Sequence, residues 1–261
     1  MASIELSTDE RGVTRLAMNR PDRHNALDRA SIDTLQGTLN RLDRNTRVLV
    51  LEGRGASFCA GADLDWMRAS VDLTPAENTA DAMALSTLLE TLDTLPFPTI
   101  AQVHGAAIGG GAGLVACCDI AIAGERARFA FSEVRLGLIP ATISPYVVRA
   151  IGPRAARMHF LAAERFDAPE AYRIQLVHDV CSSDDLDLRV REWIDALLAG
   201  GPEAQAASKR LIADVAGRPV DAALREDVAE RLAETRAGKE AQEGLSAFID
   251  KREAGWLVES R

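Results

Sequence analysis

Two features of this 261-residue chain join residue types that could do chemistry. One is a run of three glycines, Gly109, Gly110 and Gly111; the other is Glu133, a carboxylate set in the apolar stretch FSEVRLGLIP. The glycines lie within AQVHGAAIGGGAGLVACCD (101–119), where an apolar run bends at Gly105 and a small-residue segment follows. Glycine weakens any element it occupies, so three in a row answer a local need. A strand passing through glycines into a helix leaves the first-turn N–H groups unpaired and free of overlying side chains. Such a terminus can hold an anion or an oxygen that becomes negative during a reaction; a tight turn with close helix packing accounts for the same residues. Partial desolvation between Phe131 and Val134 would raise the Glu133 pKa toward a range useful for general acid–base work, whereas a plain helix N-terminal carboxylate is the alternative. A third stretch, SFCAGADLDWM, brings small residues Ala60, Gly61 and Ala62 to the start of a helix near Asp63, where backbone can approach a ligand closely.

Other chemistries lack their signatures. Gly109 and Gly111 would need a glycine at 114 to complete GxGxxG, and that residue is Leu114. GxxxxGK[ST] and GxSxG are absent, which argues against dinucleotide, P-loop and serine-hydrolase sites. Cys59, Cys117, Cys118 and Cys181 show no CxxC spacing, and the four histidines are widely spaced, so no metal site is expected. A formal charge of −9 without a basic block disfavours nucleic acid and anionic membranes as partners. No apolar run is long enough to span a bilayer, and MASIELSTDE does not resemble a signal or transit peptide, so a reduced, cytoplasmic location is expected.

The elements that must carry these residues follow from periodicity. Segments 4–6 and 13–18 read as strands joined by a turn at 9–12. Asp28 caps a helix bearing Ile32, Leu35, Leu39 and Leu42 at helical spacing, and 48–52 reads as a buried strand. Thr74 and Pro75 open a long helix that Pro96 and Pro98 end. Segments 120–123 and 128–131 supply further strands. The first half thus repeats strand, strand, helix about three times, which predicts stacked α/β units in place of a simple alternating sheet. Beyond Ser132 the chain turns helical, with a stop at Gly152–Pro153, a helix after Pro169, and helices over 184–199, 202–216, 220–236 and 239–253. The last three form a distinct unit whose apolar faces require a core or another subunit to pack against.

Five stretches in order, NRPDRHNALD, FCAGADLDWM, HGAAIGGGAGLVACCDIAIA, FSEVRLGLIP and AFIDKREAGW, resemble the enoyl-CoA hydratase/isomerase (crotonase) family over essentially the whole chain. The resemblance implies an α/β fold, a spiral of ββα units over 1–200 holding the acyl-CoA site, with a C-terminal helical oligomerisation region over 201–261. It also implies a homo-oligomer, trimer or hexamer, and no cofactor, since coenzyme A belongs to the substrate. On this resemblance the thioester oxygen lies between the backbone N–H groups of Ala62 and Gly110. The backbone around Arg23, His24 and Ala26, and around Ala60, Ala62, Asp63 and Leu64, lines the coenzyme A cleft, and Phe248 and Lys251 reach the adenine–phosphate end. Glu133 is the catalytic acid–base.

One departure stands out. Hydratases of this family typically carry a second glutamate four residues after the leading glycine, and that place here is Gly113. One carboxylate suits an isomerase that moves a double bond, and it also suits hydration if the same carboxyl takes and returns the proton. The stretches ADLDWM, GGGAGL and LIPATISPYVVRAIG resemble bacterial 3-methylglutaconyl-CoA hydratases, which favours hydration of a branched enoyl-CoA over simple isomerisation, and either over an acyl-CoA-binding protein without turnover. Arg68, Arg135 and Arg149 are candidates to meet a terminal carboxylate on such a substrate.

Overall fold

The computed structural model describes residues 3–258; the outermost positions of the expected 1–200 and 201–261 regions lie outside the described residues. Strand β1 (Ile4–Thr8) pairs antiparallel with β2 (Val13–Met18), and helix α1 (Arg29–Leu39) follows. Next come β3 (Val48–Gly53), α2 (Leu64–Ala69), α3 (Pro75–Asp93), β4 (Thr99–Val103), β5 (Ala106–Ile108) and α4 (Gly110–Cys117). Then β6 (Ile120–Gly124), β7 (Arg128–Ala130), a 3₁₀ turn (Glu133–Leu136), α5 (Ser144–Ala162), β8 (Phe166–Asp167), α6 (Ala168–Arg173) and β9 (Asp179–Cys181). Helices α7 (Leu186–Leu198), α8 (Pro202–Val215), α9 (Ala222–Ala237), α10 (Lys239–Asp250) and α11 (Gly255–Val258) complete the chain.

The main sheet runs β1-β2-β3-β4-β6-β9 and is parallel from β2 onward. A parallel sheet is buried on both faces, so its strands are largely apolar on both sides. Alternation divides them: Val48, Val50, Ile100 and Ile122 pack against Val190 and Ile194 of α7, while Leu49, Leu51, Ala101 and Ala123 face the larger core under α1, α3, α4 and α5. A second sheet, β5-β7-β8, stands beside the first. Single parallel bridges, Leu27 to Ala62 and Cys59 to Ala107, continue its pattern back along the chain. Each repeat thus places one strand in the large sheet, one short extended segment in the small sheet, and then a helix. That is the strand, strand, helix rhythm of the sequence.

Helix ends follow local chemistry. Asp28 accepts from Ser31 N and the Ser31 hydroxyl accepts from Asp28 N, a reciprocal capping box at α1; Thr74 and Glu77 make another at α3. The stop expected at Gly152–Pro153 is a break without an end. Gly152 (φ 72°, ψ 160°) interrupts α5, and the helix resumes at once to Ala162, because proline suits the first turn of a new helical segment.

Candidate active site

The segments at the centre of the site are tied to one another through their backbones. Gly109 has φ 50°, ψ −116°, and its N–H donates to Ala130 O at 2.9 Å, tying the start of α4 to the end of β7. A side chain on Gly111 would begin 2.4 Å from Cys59 O. That contact is why the chain needs glycine there, and it seats α4 on the 57–62 segment. Cys59 N donates to Ala106 O and Ile108 N to Cys59 O, at 2.9 and 3.0 Å; Leu27 N donates to Gly61 O at 2.7 Å and Asp63 N to Leu27 O at 2.8 Å. Ala62, Gly110 and Leu27 are therefore gathered at one place, with a Leu27 methyl 3.1 Å from where a Gly110 side chain would start. Among the described residues the N–H groups of Ala62 and Gly110 have no acceptor. Ala62 is exposed and Gly110 half-buried, so both donors stand open beside a helix N-terminus.

Glu133 reaches this place through an anchored neighbour. Phe131 is fully buried, 5.0 Å edge-on from Phe160 and 5.9 Å from Phe166. The chain then turns through the 3₁₀ segment, where Leu138 N donates to Glu133 O, and ends it at left-handed Gly137. The carboxylate lies over Gly109: Oε1 is 3.0 Å from the position a Gly109 Cβ would take. Oε2 is buried without a hydrogen-bond partner among the described residues. Burial raises the Glu133 pKa, opposed only by its own backbone N–H. A desolvated carboxyl with an unused oxygen beside two unused N–H donors can take a proton from a carbon or a water while a neighbouring oxygen gains charge.

The flanking turns are held by a half-buried clamp. Arg20 donates to Ala26 O (2.7 Å) and Asp63 Oδ2 (3.2 Å) and pairs with Asp28 Oδ2 (2.8 Å). Asp63 also caps α2 by accepting from Asp65 N at 2.9 Å. Its carboxylate is thus engaged inside the protein, and its backbone is held as well, Asp63 N donating to Leu27 O and Asp63 O accepting from Met67 N at 2.9 Å. The Asp28 carboxyl, although burial alone would raise its pKa, is held below the usual range by hydrogen bonds from Ser31 and by the Arg20 charge. Asn25, with φ 55°, holds the 20–26 turn to the 54–57 segment through Arg54 O and Ser57 O.

Residues 8–258 match the enoyl-CoA hydratase/isomerase family. The chain belongs to that family. Among solved structures, an enoyl-CoA hydratase from Shewanella pealeana is 44% identical with a TM-score of 0.94, covering 98% of this chain and 96% of its own. Pseudomonas aeruginosa AtuE is 38% identical with a TM-score of 0.92, covering 98% and 99%. A crotonyl-CoA hydratase from Syntrophomonas wolfei is 30% identical over 246 residues, 93% of each chain. The fold is therefore the crotonase-like α/β fold expected from the sequence.

Within this family member the structure brings together Ala62, Gly110 and Glu133, and beside them Ala26, Ala60, Asp63 and Leu64. His24, exposed, accepts from Ala60 N through its carbonyl at 3.0 Å, and its Nδ1 is 3.1 Å from Ser57 Oγ. Arg23 is exposed and bonds Asp65 at 3.0 Å. Phe248, 84% exposed, and Lys251, in the left-handed cap of α10, make no hydrogen bond or ion pair to these turns among the described residues. Of the three arginines, Arg149 pairs with Asp93 and Arg68 with Asp65, while Arg135 is exposed with no acidic partner among the described residues. The Arg20–Asp63 clamp and the packing of Ile143 on Gly113 were not apparent in the sequence, since both join residues far apart in the chain. Burial pushes the Cys59 thiol up to about 12 and those of Cys117 and Cys118 higher, so none is a nucleophile at neutral pH. Among the described residues no cluster could hold a metal, and no helix is long and apolar enough to cross a membrane. A cleft of about 990 Å³ between α4, α5, α6 and α8 includes none of Ala62, Gly110 and Glu133, and its Arg149, Arg173 and Lys209 are already paired with carboxylates.

Proposed function

We propose that the protein hydrates a branched, methylglutaconyl-like enoyl-CoA, with Glu133 handling the proton and the N–H groups of Ala62 and Gly110 holding the thioester oxygen. The observation that carries this reading is the buried, unpartnered Oε2 of Glu133 beside the open start of α4. Water would add its oxygen to the β-carbon as the Glu133 carboxylate takes its proton. The π electrons move to the thioester oxygen, where two N–H donors meet the new charge. Glu133 then returns the proton to the α-carbon as the enolate collapses, so one water is added and the carboxylate regenerated. A raised pKa helps, because an acid–base group works best when it titrates near the working pH.

A second reading is favoured by glycine at 113: with one carboxyl, Glu133 would remove a γ-proton and return it to the α-carbon, shifting the double bond. Binding of acyl-CoA without turnover is a third and minor reading. Coenzyme A would run past the backbone of Arg23, His24, Ala26, Ala60, Asp63 and Leu64, and Phe248 and Lys251 would reach it from a neighbouring subunit of a trimer or hexamer assembled through the 201–261 helices. A panel of acyl-CoA esters, followed by loss of the conjugated thioester absorbance with products identified by mass, separates the three. Gain of one water supports hydration, an unchanged mass with a moved double bond supports isomerisation, and no conversion of any ester refutes both.

A further inference from the structure

Gly113 lies one turn into α4 from the N-cap Gly109, its N–H donating to Gly109 O at 3.0 Å. Side chains on a helix lean toward its N-terminus, so a residue at 113 would point up toward Gly109. Above Gly109 lies Glu133, with Oε1 3.0 Å from the nearest position a Gly109 Cβ could take. Position 113 is therefore a place from which a side chain would reach Glu133. Ile143 fills that space. It is 1% exposed, and a Cβ built on Gly113 would meet Ile143 Cγ2 at 2.3 Å, Ile143 Cβ at 2.9 Å and Leu89 Cδ2 at 3.7 Å. Ile143 cannot swing clear, because it branches at Cβ and that atom is itself too close. Its carbonyl accepts from Val147 N at 3.0 Å, which fixes its backbone to the first turn of α5.

We propose that Ile143 is a specificity-determining residue: it packs against the bare backbone of Gly113, bars a side chain at that position from reaching Glu133, and so confines proton transfer to one carboxyl group. The inference rests on the reading of Glu133 as the acid–base group. The Gly113–Ile143 pair then selects reactions in which a single group takes a proton and gives it back, with hydrocarbon filling the place that a second acid at 113 would take.

The test is a mutant cycle with two readouts. Gly113→Ala alone should lower the melting temperature by roughly 3–10 °C, the usual cost of overpacking a core in a chain this long. In an Ile143→Ala background the same change should cost less than half as much, since the obstructing atoms are gone; additive effects would overturn the proposal. Wild type should show a single acidic limb in its pH–rate profile and the double variant Gly113→Glu/Ile143→Ala two ionisations, because two close carboxyls titrate as a pair. A folded double variant with the wild-type profile would overturn the proposal, and should that variant not fold, Gly113→Asp/Ile143→Ala offers a shorter carboxyl at the same place, with the same profile expected and the same result overturning it. Glu133→Gln separates this from the functional reading. Loss of turnover with an additive cycle sinks the role of Ile143 alone, whereas full turnover sinks the Glu133 reading whatever the cycle shows.

Discussion

Replacing Asp63 with alanine removes a group that serves both the fold and the site. Its carboxylate accepts from Asp65 N at 2.9 Å and from Arg20 at 3.2 Å, and only 5% of its side chain is exposed. Loss of a helix cap costs about 1 kcal/mol. Loss of a hydrogen bond between charged groups adds about 1.5–3 kcal/mol, toward the lower figure here because Arg20 is 22% exposed and keeps Asp28 and Ala26 O. The sum is about 2–3 kcal/mol, or roughly 5–10 °C in melting temperature for a chain of this size. Asp63→Asn keeps a capping oxygen but weakens the tie to Arg20, so it should lose less than half of that. Asp63 N donates to Leu27 O right after Ala62, so loosening this turn misplaces one of the two proposed donors. A misplacement of about 1 Å can cost about a hundredfold in rate; kcat should fall about ten- to a hundredfold in Asp63→Ala, with a smaller change in KM. Thermal denaturation and steady-state kinetics on the best substrate of the acyl-CoA panel measure both. A variant that melts as expected yet keeps kcat within about twofold would refute the idea that the clamp positions Ala62.

Other outcomes follow from the same geometry. The folded protein holds a proton on Glu133 more tightly than the unfolded chain does, so that group favours folding below an ordinary carboxylate pKa near 4.3 and loses this contribution as pH rises through its raised folded value. Glu133→Gln should therefore melt at or above the wild-type temperature at pH 7–8, with the gap closing below about pH 4; a variant less stable than wild type at neutral pH would contradict this. Gly111→Ala should destabilise by about 1–3 kcal/mol or more, because its Cβ would lie 2.4 Å from backbone, whereas Gly37→Ala should stabilise by about 0.5–1 kcal/mol, because it meets only the end of Arg41 at 3.3 Å within α1. Urea titrations of the two should move in opposite directions. Light scattering should find a trimer or hexamer, given exposed Leu232, Leu245, Phe248 and Ile249 on α9 and α10, and Phe248→Asp with Ile249→Asp should shift it to smaller species; a monomer at micromolar concentration would contradict the assembly.

What could be read from the sequence was what local chemistry specifies. The Asp28 cap, the Thr74–Pro75 start of α3, the buried strand read at 48–52 and the glycine entry to α4 all express preferences of a few adjacent residues, and each is present. Two- and three-residue strands such as β8 and β9 carry too few residues to show a period, and the helix beyond Gly152 was hidden because a Gly–Pro pair both ends one helical segment and can begin another. The glycines and Glu133 were recognisable as chemical residues. Their meeting was implied by the family resemblance and not by any local pattern, because it depends on Gly109 bonding to Ala130 and on Phe131 being pinned by Phe160 and Phe166. Asp63 shows the same limit: in the sequence it is a helix start near the cleft, and only the fold reveals that its carboxylate is turned toward Arg20.

Glu133 is the group on which the proposed proton transfer depends. Glu133→Gln keeps the shape of the side chain and removes its base, so the direct measurement is turnover of the best acyl-CoA substrate alongside binding of the corresponding saturated acyl-CoA by calorimetry. General acid–base groups contribute about 10²–10⁴ in rate, and a sole catalyst belongs at the upper end, so the account predicts a loss of about 10³–10⁴ with acyl-CoA affinity unchanged. A folded variant that binds as well and retains more than about a tenth of wild-type turnover would contradict it.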